Sequence, residues 1–203
     1  MKHYRMHDSP FSESADGGWV MVEADRPVTG YTEWISRNND ANEVIPGLVP
    51  GKTFYIPNSC IDRTWNTELV LINSSGNQNS VTMQVLDDSG VQAETTVQLA
   101  SYEKKDESLK GYFSGISDSD LSSRMIKIQA ENEIAGMYRY VGAAGKGDMM
   151  VIPFSSDKDK KGGHVLPHVA SDGYWWTGIS LANPGGNTAT VKLIPFDNKE
   201  IGR

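Results

Sequence analysis

The chain resembles itself, because residues 56–89 align with residues 166–199 at a constant offset of 110 and without a gap. Ten positions are identical in the two copies. They are Pro57/Pro167, Asp62/Asp172, Trp65/Trp175, Thr67/Thr177, Leu71/Leu181, Asn73/Asn183, Gly76/Gly186, Asn77/Asn187, Val81/Val191 and Asp87/Asp197. The spacing of 110 residues between the two copies is the usual size of a domain, so the 203 residues are expected to form two related modules.

A weaker match relates residues 19–34 to residues 125–140 at an offset of 106. Residues 121–137 alone resemble a helix, but the alignment places Pro27 inside the matching segment, and proline in a helix interior costs about 3 kcal/mol. Both segments are therefore predicted to be strand, tight turn, strand, with the turn of the second at 131–133.

The remaining sequence indicates an all-β fold, since short runs of β-branched and aromatic residues alternate with Gly, Asn, Ser and Pro. Residues 67–73 and 80–86 are predicted to form a hairpin, and residues 178–196 to repeat it. Residues 53–153 would hold roughly seven strands, the number of an immunoglobulin-like β-sandwich.

The pieces follow an unusual order. Residues 10–50 correspond to the second half of a module, residues 53–153 to a complete module, and residues 164–203 to a first half, after a polar linker at 155–163. Either the chain is a window of a longer tandem array, or the two terminal halves form a second sandwich, within one chain or between two.

That second sandwich would lack the equivalent of the strand at 95–99, because residue 203 corresponds to about position 93 and residue 1 to about position 107. An open strand edge is commonly filled by another chain. We therefore expect a homodimer formed through the terminal halves.

Composition excludes several classes of protein. No run approaches 18 apolar residues, so no membrane span is expected, and no secretory signal is present in the sequence as given. A net charge of −7 opposes nucleic-acid binding.

The single cysteine, Cys60, cannot form an internal disulfide and is expected to be a small buried side chain, because it aligns with Ala170.

The pattern Pro167-His168 … Trp175-x-Thr177-Gly178-Ile179 … Asn183-Pro184 … Val191-x-Leu193 … Asp197, together with residues 22–31, resembles the tandem β-sandwich repeats of secreted or surface bacterial proteins. The resemblance implies architecture and an extracellular or cell-surface location only, and it does not support a catalytic claim. Two functions follow as expectations. One is a noncatalytic module for structural spacing, adhesion or assembly. The other is a carbohydrate-binding accessory module of a larger secreted protein.

Residues present in both copies are best explained by the fold. Trp65 and Trp175 are predicted to lie in the core or between sheets, and Asn73 and Asn183 to cap turns. The candidate ligand-binding residues are those in which the second copy differs from the first, with the neighbouring acid that both share. They are Tyr174, Trp176, His168 and Asp172, of which the two aromatics could stack on a sugar ring, bind a partner protein, or pack on the neighbouring module.

Motifs for other chemistry are incomplete. The pairs His3/His7 and His164/His168 lack a helical context and an intervening Glu, so no metal site is predicted. The acids at 87–88 and 117–120 do not complete a calcium loop and are expected to be solvated loop acids or turn caps. The glycines at 142–147 lack a phosphate-loop order and are predicted to lie in a hairpin turn. We predict no catalytic residue and no cofactor.

Overall fold

The computed structural model describes residues 18–26, 29–35, 42–142, 149–156 and 177–194. Ten strands and two short helices form the regular structure of this part of the chain. The strands are β1 (Tyr31–Ile35), β2 (Asn42–Pro46), β3 (Gly51–Ile56), β4 (Trp65–Ile72), β5 (Asn79–Asp87), β6 (Gly90–Leu99), β7 (Lys104–Ser108), β8 (Met125–Gly142), β9 (Met149–Pro153) and β10 (Ser155–Ser156), and the helices are α1 (Leu109–Tyr112) and α2 (Asp118–Leu121). Their pairing is antiparallel, which confirms the all-β class.

The long strand β8 organises the sheets. Its first part lies between β3 and β5, and its second part lies between β4 and β9. β10 and β6 extend the first group of strands, and β7 extends the second. Residues 51–156, called here the complete module, thus contain β3 to β10, including the seven strands expected for 53–153.

The predicted turn at 131–133 is wrong, because β8 continues through these residues. The chain changes sheets there instead of reversing, and the pairing with β3 jumps from Gln129 to Ile134. The side chain of Asn79 supports this passage. It donates to the carbonyl of Asn132 at 3.0 Å and accepts from the Asn132 amide at 3.0 Å, which satisfies backbone groups that leave the ladder.

The hairpin predicted from residues 67–73 and 80–86 is also wrong. Both strands form, but β4 and β5 pair with different parts of β8 and not with each other. The intervening turn therefore crosses between sheets. Its sequence resembles a hairpin turn because both connections require the same turn-forming residues.

One core lies between the two groups of strands. β5 alternates strictly, with Val81, Met83 and Val85 buried in this core. The other large members come from facing strands and from the helices. They include Phe54, Ile56, Leu69, Leu71, Leu109, Leu121, Ile126, Ile128 and Tyr138.

β4 does not alternate in the same way, since Leu69, Val70, Leu71 and Ile72 are all buried. Leu69 and Leu71 contact the main core, whereas Val70 and Ile72 belong to a second cluster on the outer side of the sheet. Both faces of β4 are therefore covered, which gives a continuous apolar run.

The two helices, absent from the sequence prediction, are single turns of four residues. Ser108 and Ser117 cap them through their hydroxyls. Leu109 and Leu121 close one end of the core. Ser155 and Ser156, at the start of the predicted linker, pair with β3, and residues 157–163 lie outside the described residues.

Candidate interaction site

The N-terminal hairpin β1–β2 has the same register as the hairpin β8–β9. Tyr31 lies opposite Pro46 just as Met137 lies opposite Pro153. The four following pairs also correspond when 106 is added to residues of β1 and 107 to residues of β2. One flanking bond recurs as well, because the Gly47 amide donates to the Gly30 carbonyl at 2.9 Å and the Phe154 amide to the Gly136 carbonyl at 3.2 Å.

The two hairpins differ at their second edge. In the complete module, β4 occupies the edge of β8 opposite β9, from Trp65/Gly142 to Ile72/Ala135. Among the described residues, β1 pairs with β2 only and belongs to a sheet of two strands. An isolated two-stranded sheet is marginally stable, and its open edge presents unpaired backbone groups.

The N-terminal part rests on the outside of the complete module. Ile45 is buried against the outer cluster of β4 and β8, which Trp19 and Leu48 also contact. The Trp19 indole donates to the carbonyl of Tyr102 at 3.1 Å. This packing differs from that of the counterpart of Ile45, Ile152, which packs against the main core.

Residues 177–194, called here the C-terminal segment, repeat the turn that follows β4. The Asn183 side chain donates to the Asn187 carbonyl at 2.6 Å and accepts from the Gly185 amide at 3.1 Å. In the first copy, Asn73 donates to the Asn77 carbonyl at 2.7 Å and accepts from the Ser75 amide at 3.2 Å. Both asparagines cap a turn, as predicted.

Burial separates these two turns. Asn73 is fully buried and also donates to the Ala100 carbonyl at 2.8 Å, whereas Asn183 is exposed. The apolar residues around them follow the same division. Leu71 is 0% exposed, whereas its counterpart Leu181 is 54% exposed.

The C-terminal segment forms no strand among the described residues, although it carries the apolar pattern of β4 and β5. Its exposed apolar side chains are Ile179, Leu181, Val191, Leu193 and Ile194. The first four align with core residues of the complete module, namely Leu69, Leu71, Val81 and Met83. Residues 20–22 show the same contrast, because Val20 and Val22 are exposed and align with the buried Ile126 and Ile128.

The candidate ligand-binding residues Tyr174, Trp176, His168 and Asp172 lie outside the described residues. All four of their counterparts are described. Thr64 and Asn66, the counterparts of the two aromatics, are exposed. Asp62, the counterpart of Asp172, accepts from the amides of Thr64 at 2.6 Å and Trp65 at 2.8 Å, so it caps a turn.

The counterpart of His168 is Asn58, whose carbonyl accepts from the Tyr140 hydroxyl at 2.6 Å. Trp65 was predicted to lie in the core, but it is only half-buried at the start of β4. Trp175 and the four histidines lie outside the described residues.

Of the loop acids, Asp87 caps a turn, whereas at 117–120 the cap is the serine Ser117 and not an acid. The Ser117 hydroxyl accepts from the Asp120 amide at 3.2 Å, and Asp118 forms an ion pair with Lys110 at 2.6 Å. Asp87 accepts from the Ser89 hydroxyl at 2.7 Å and from the Ser89 amide at 2.8 Å in the turn between β5 and β6, and these hydrogen bonds lower its pKa. Among the described residues, no group of three or more His, Cys, Asp or Glu side chains is placed to hold a metal ion.

An ion-pair cluster missed by the sequence analysis spans β4, β7 and β8. Arg139 contacts Glu68 at 2.7 Å and Asp106 at 2.5 Å, and its side chain is 11% exposed. The three positions are neighbours across the sheet, so the two carboxylates share one guanidinium. Their distance in sequence hides the cluster from local patterns. The position of Arg139 in β1 is occupied by Glu33, so the cluster is specific to the complete module.

The groups with raised pKa values are held neutral by packing. Burial, then the hydrogen bond to Asp62 and the charge of that carboxylate, raise the pKa of Cys60 to about 11. The thiol is half-buried and donates to Asp62 at 3.4 Å. Burial is likewise the main cause that raises the pKa values of Tyr112, Tyr138 and Tyr140. None of these groups is poised to exchange a proton near neutral pH.

A shallow polar groove of about 320 Å³ lies across β5, β6 and β8. It is lined by Ser80, Thr82, Gln84, Glu94, Gln129, Ala130 and Glu131. Several of these side chains bond to one another or to a neighbour on β6, with Gln84 donating to Glu94 at 2.6 Å and Thr82 lying 3.0 Å from Thr96. These pairs support the sheet and occupy donors and acceptors that a ligand would need.

In the part of the chain that the structure describes, no helix is long and apolar enough to cross a membrane. No protein-family model matches the chain, and no curated protein is significantly similar to it. Among solved structures, the chain is similar to a crystal structure of Thermotoga maritima 1070, at 11% identity and a TM-score of 0.46. The match covers 53% of this chain and 95% of that one. A likeness of this size supports no conclusion about function.

Proposed function

We propose that the chain is a noncatalytic β-sandwich module of an extracellular or cell-surface protein, and that its role is structural spacing, adhesion or assembly. We infer an immunoglobulin-like sandwich for the complete module and a second, incomplete sandwich for the terminal parts. The internal repeat relates the sequences of the two sandwiches. The strand count and the matching register of the two hairpins support this proposal.

The observation that favours assembly is the exposure of the C-terminal segment. Its apolar residues match core residues of the strands β4 and β5, but they are exposed to solvent. Exposed apolar positions of this kind usually mark a contact with another protein surface. The shifted ionisable groups, by contrast, are explained by burial and turn hydrogen bonds, which supports a noncatalytic role.

The assembly role is tested by light scattering of the full chain over a wide concentration range. The wild-type protein is expected to associate as its concentration rises, and Leu181→Asn/Leu193→Asn is expected to lose this association. Val91→Asn is the matched control, because Val91 is 51% exposed on the edge strand β6 and should associate like the wild type. A wild-type chain that stays monomeric throughout would contradict an assembly role.

The alternative, a carbohydrate-binding accessory module, rests on Tyr174 and Trp176. Isothermal titration against a panel of glycans tests it. Binding that is lost in Trp176→Ala and retained in Asn66→Ala would favour this function over assembly.

A further inference from the structure

We propose that the C-terminal segment pairs with residues 21–26 and 29–34 of a second copy of this chain, completing a sandwich between the two molecules. This inference rests on the proposed assembly role and gives it a partner and a register. The complete module provides the template. There, β4 pairs with the second part of β8 and β5 with the first part.

The template defines which residues meet on the first strand. The pairs Leu69/Tyr138 and Leu71/Gly136 predict that Ile179 lies opposite Thr32 and that Leu181 lies opposite Gly30. The open edge of β1 would thereby gain the strand that β8 already has. Backbone groups left unpaired in the two-stranded sheet would join a ladder.

The second strand follows the pairing of β5 with β8. The pair Met83/Ile128 predicts that Leu193 lies opposite Val22, and both template residues are fully buried. The adjacent pair Thr82/Gln129 predicts that Lys192 lies opposite Glu23. The template pair is uncharged, whereas this pair combines opposite charges across neighbouring strands, which favours the same register.

A second copy is the occupant we infer because the single chain leaves both surfaces open. Val22 is 74% exposed and Leu193 is 61% exposed in the same molecule. Ile45 of β2 packs on the outside of the complete module of its own chain. The N-terminal part is therefore anchored to the complete module of its own chain. Reciprocal exchange of C-terminal segments would close a symmetric dimer.

Disulfide trapping in the full chain tests the register. Thr32→Cys and Ile179→Cys are made separately, each with Cys60→Ala, and both positions are exposed, so the fold should tolerate them. Directly opposed residues of an antiparallel pair have the Cα separation that a disulfide needs. Mixing the two variants under mild oxidation is expected to give a covalent species of twice the 22.3 kDa chain mass.

The control replaces Thr32→Cys by Glu33→Cys, again with Cys60→Ala. A shift of one residue turns the side chain to the other face of the strand, so this mixture should give at least tenfold less covalent dimer. Equal yields from the two mixtures, or no disulfide in either, would overturn the proposal.

A chain carrying both Thr32→Cys and Ile179→Cys distinguishes exchange from closure within one molecule. A covalent dimer at dilute concentration supports the second copy, and an internal disulfide at the monomer mass overturns it. If trapping fails while the association lost in Leu181→Asn/Leu193→Asn is still observed, the register is wrong and the assembly role stands. If that association is also absent, the assembly role fails with it.

Discussion

The strands β4 and β5 and the C-terminal segment share a sequence pattern and a turn, but one is the centre of the core and the other faces solvent. Leu71 and Leu181 occupy equivalent positions, but Leu71 is buried in the main core and Leu181 is exposed. The same local sequence therefore forms the same local turn without forming the same strands. Strand formation here depends on the partner edge that β8 supplies to the first copy.

The largest expected difference between the two regions is the cost of removing a leucine. Leu71→Ala should lower the free energy of unfolding by about 2–5 kcal/mol, because it leaves a cavity in a fully buried site. Leu181→Ala should change it by less than about 0.5 kcal/mol at concentrations where the protein is monomeric. Urea denaturation of both variants measures this difference, and equal losses would show that the C-terminal segment is packed in the monomer.

Glycine substitutions give the next contrast. A Cβ at Gly136 would collide with the Phe154 ring and lie 2.7 Å from the Val70 carbonyl oxygen, whereas a Cβ at Gly30 meets nothing within 4 Å. Gly136→Ala should therefore cost about 1–3 kcal/mol of stability. Gly30→Ala should leave the monomer's stability nearly unchanged and weaken association, since Ser180 of the second copy would take the place of Val70. Thermal unfolding and light scattering separate these two effects.

The paired asparagines give a smaller difference. Asn73→Ala should lower the free energy of unfolding by about 1–2 kcal/mol, because the carbonyls of Asn77 and Ala100 would lose a donor in a buried site. Asn183→Ala should lower it by less than about 0.5 kcal/mol, since the exposed turn can bond to water. Chemical denaturation at one fixed protein concentration is the appropriate measurement. A loss in Asn183→Ala as large as that in Asn73→Ala would contradict the contrast.

The last prediction concerns the alkylation rate of the Cys60 thiol, which reports on the first copy alone. Because the pKa of Cys60 is raised to about 11, its thiol stays neutral through pH 8 to 9 and should react with iodoacetamide at least tenfold more slowly than a free cysteine. The rate should rise as the pH approaches 11, provided the fold persists. Asp62→Asn removes the neighbouring charge and should raise the rate at pH 8. Fast alkylation of the native wild-type protein at that pH would be inconsistent with this environment.

The sequence predicted the parts of the fold that depend on local chemistry. Residues 80–86 were identified as a strand, and Asn73 was recognised as a turn cap. Asp87 was also identified as a candidate turn cap, and it accepts from the Ser89 amide. These features are fixed by residues within a few positions of each other.

Features that depend on distant partners were not predicted. The side chain of Asn79 supports the backbone of Asn132 where β8 changes sheets, and nothing near residue 132 indicates this. β4 and β5 were predicted to pair because two strand-forming runs joined by turn residues do not specify which strand lies alongside. The cluster of Arg139 with Glu68 and Asp106 likewise requires knowledge of the sheet order.

The candidate interaction site was identified only in part. The repeat indicated that the terminal halves belong together, but the exposure of Leu181 and Val22 is visible only in the structure. The prediction that Tyr174 and Trp176 bind a ligand stays a prediction. Its support from the first copy is limited to the exposure of Thr64 and Asn66.

The proposal of pairing between two copies is tested most directly by hydrogen exchange of the full wild-type chain at several concentrations. Amides of Ile179, Leu181 and Leu193 should exchange rapidly in dilute solution and become protected as the measured mass doubles, while amides of β4 and β5 stay protected throughout. Rapid exchange of the C-terminal segment at every concentration would contradict the account. Protection that is already complete at the monomer mass would contradict it equally, because the segments would then pair within one chain.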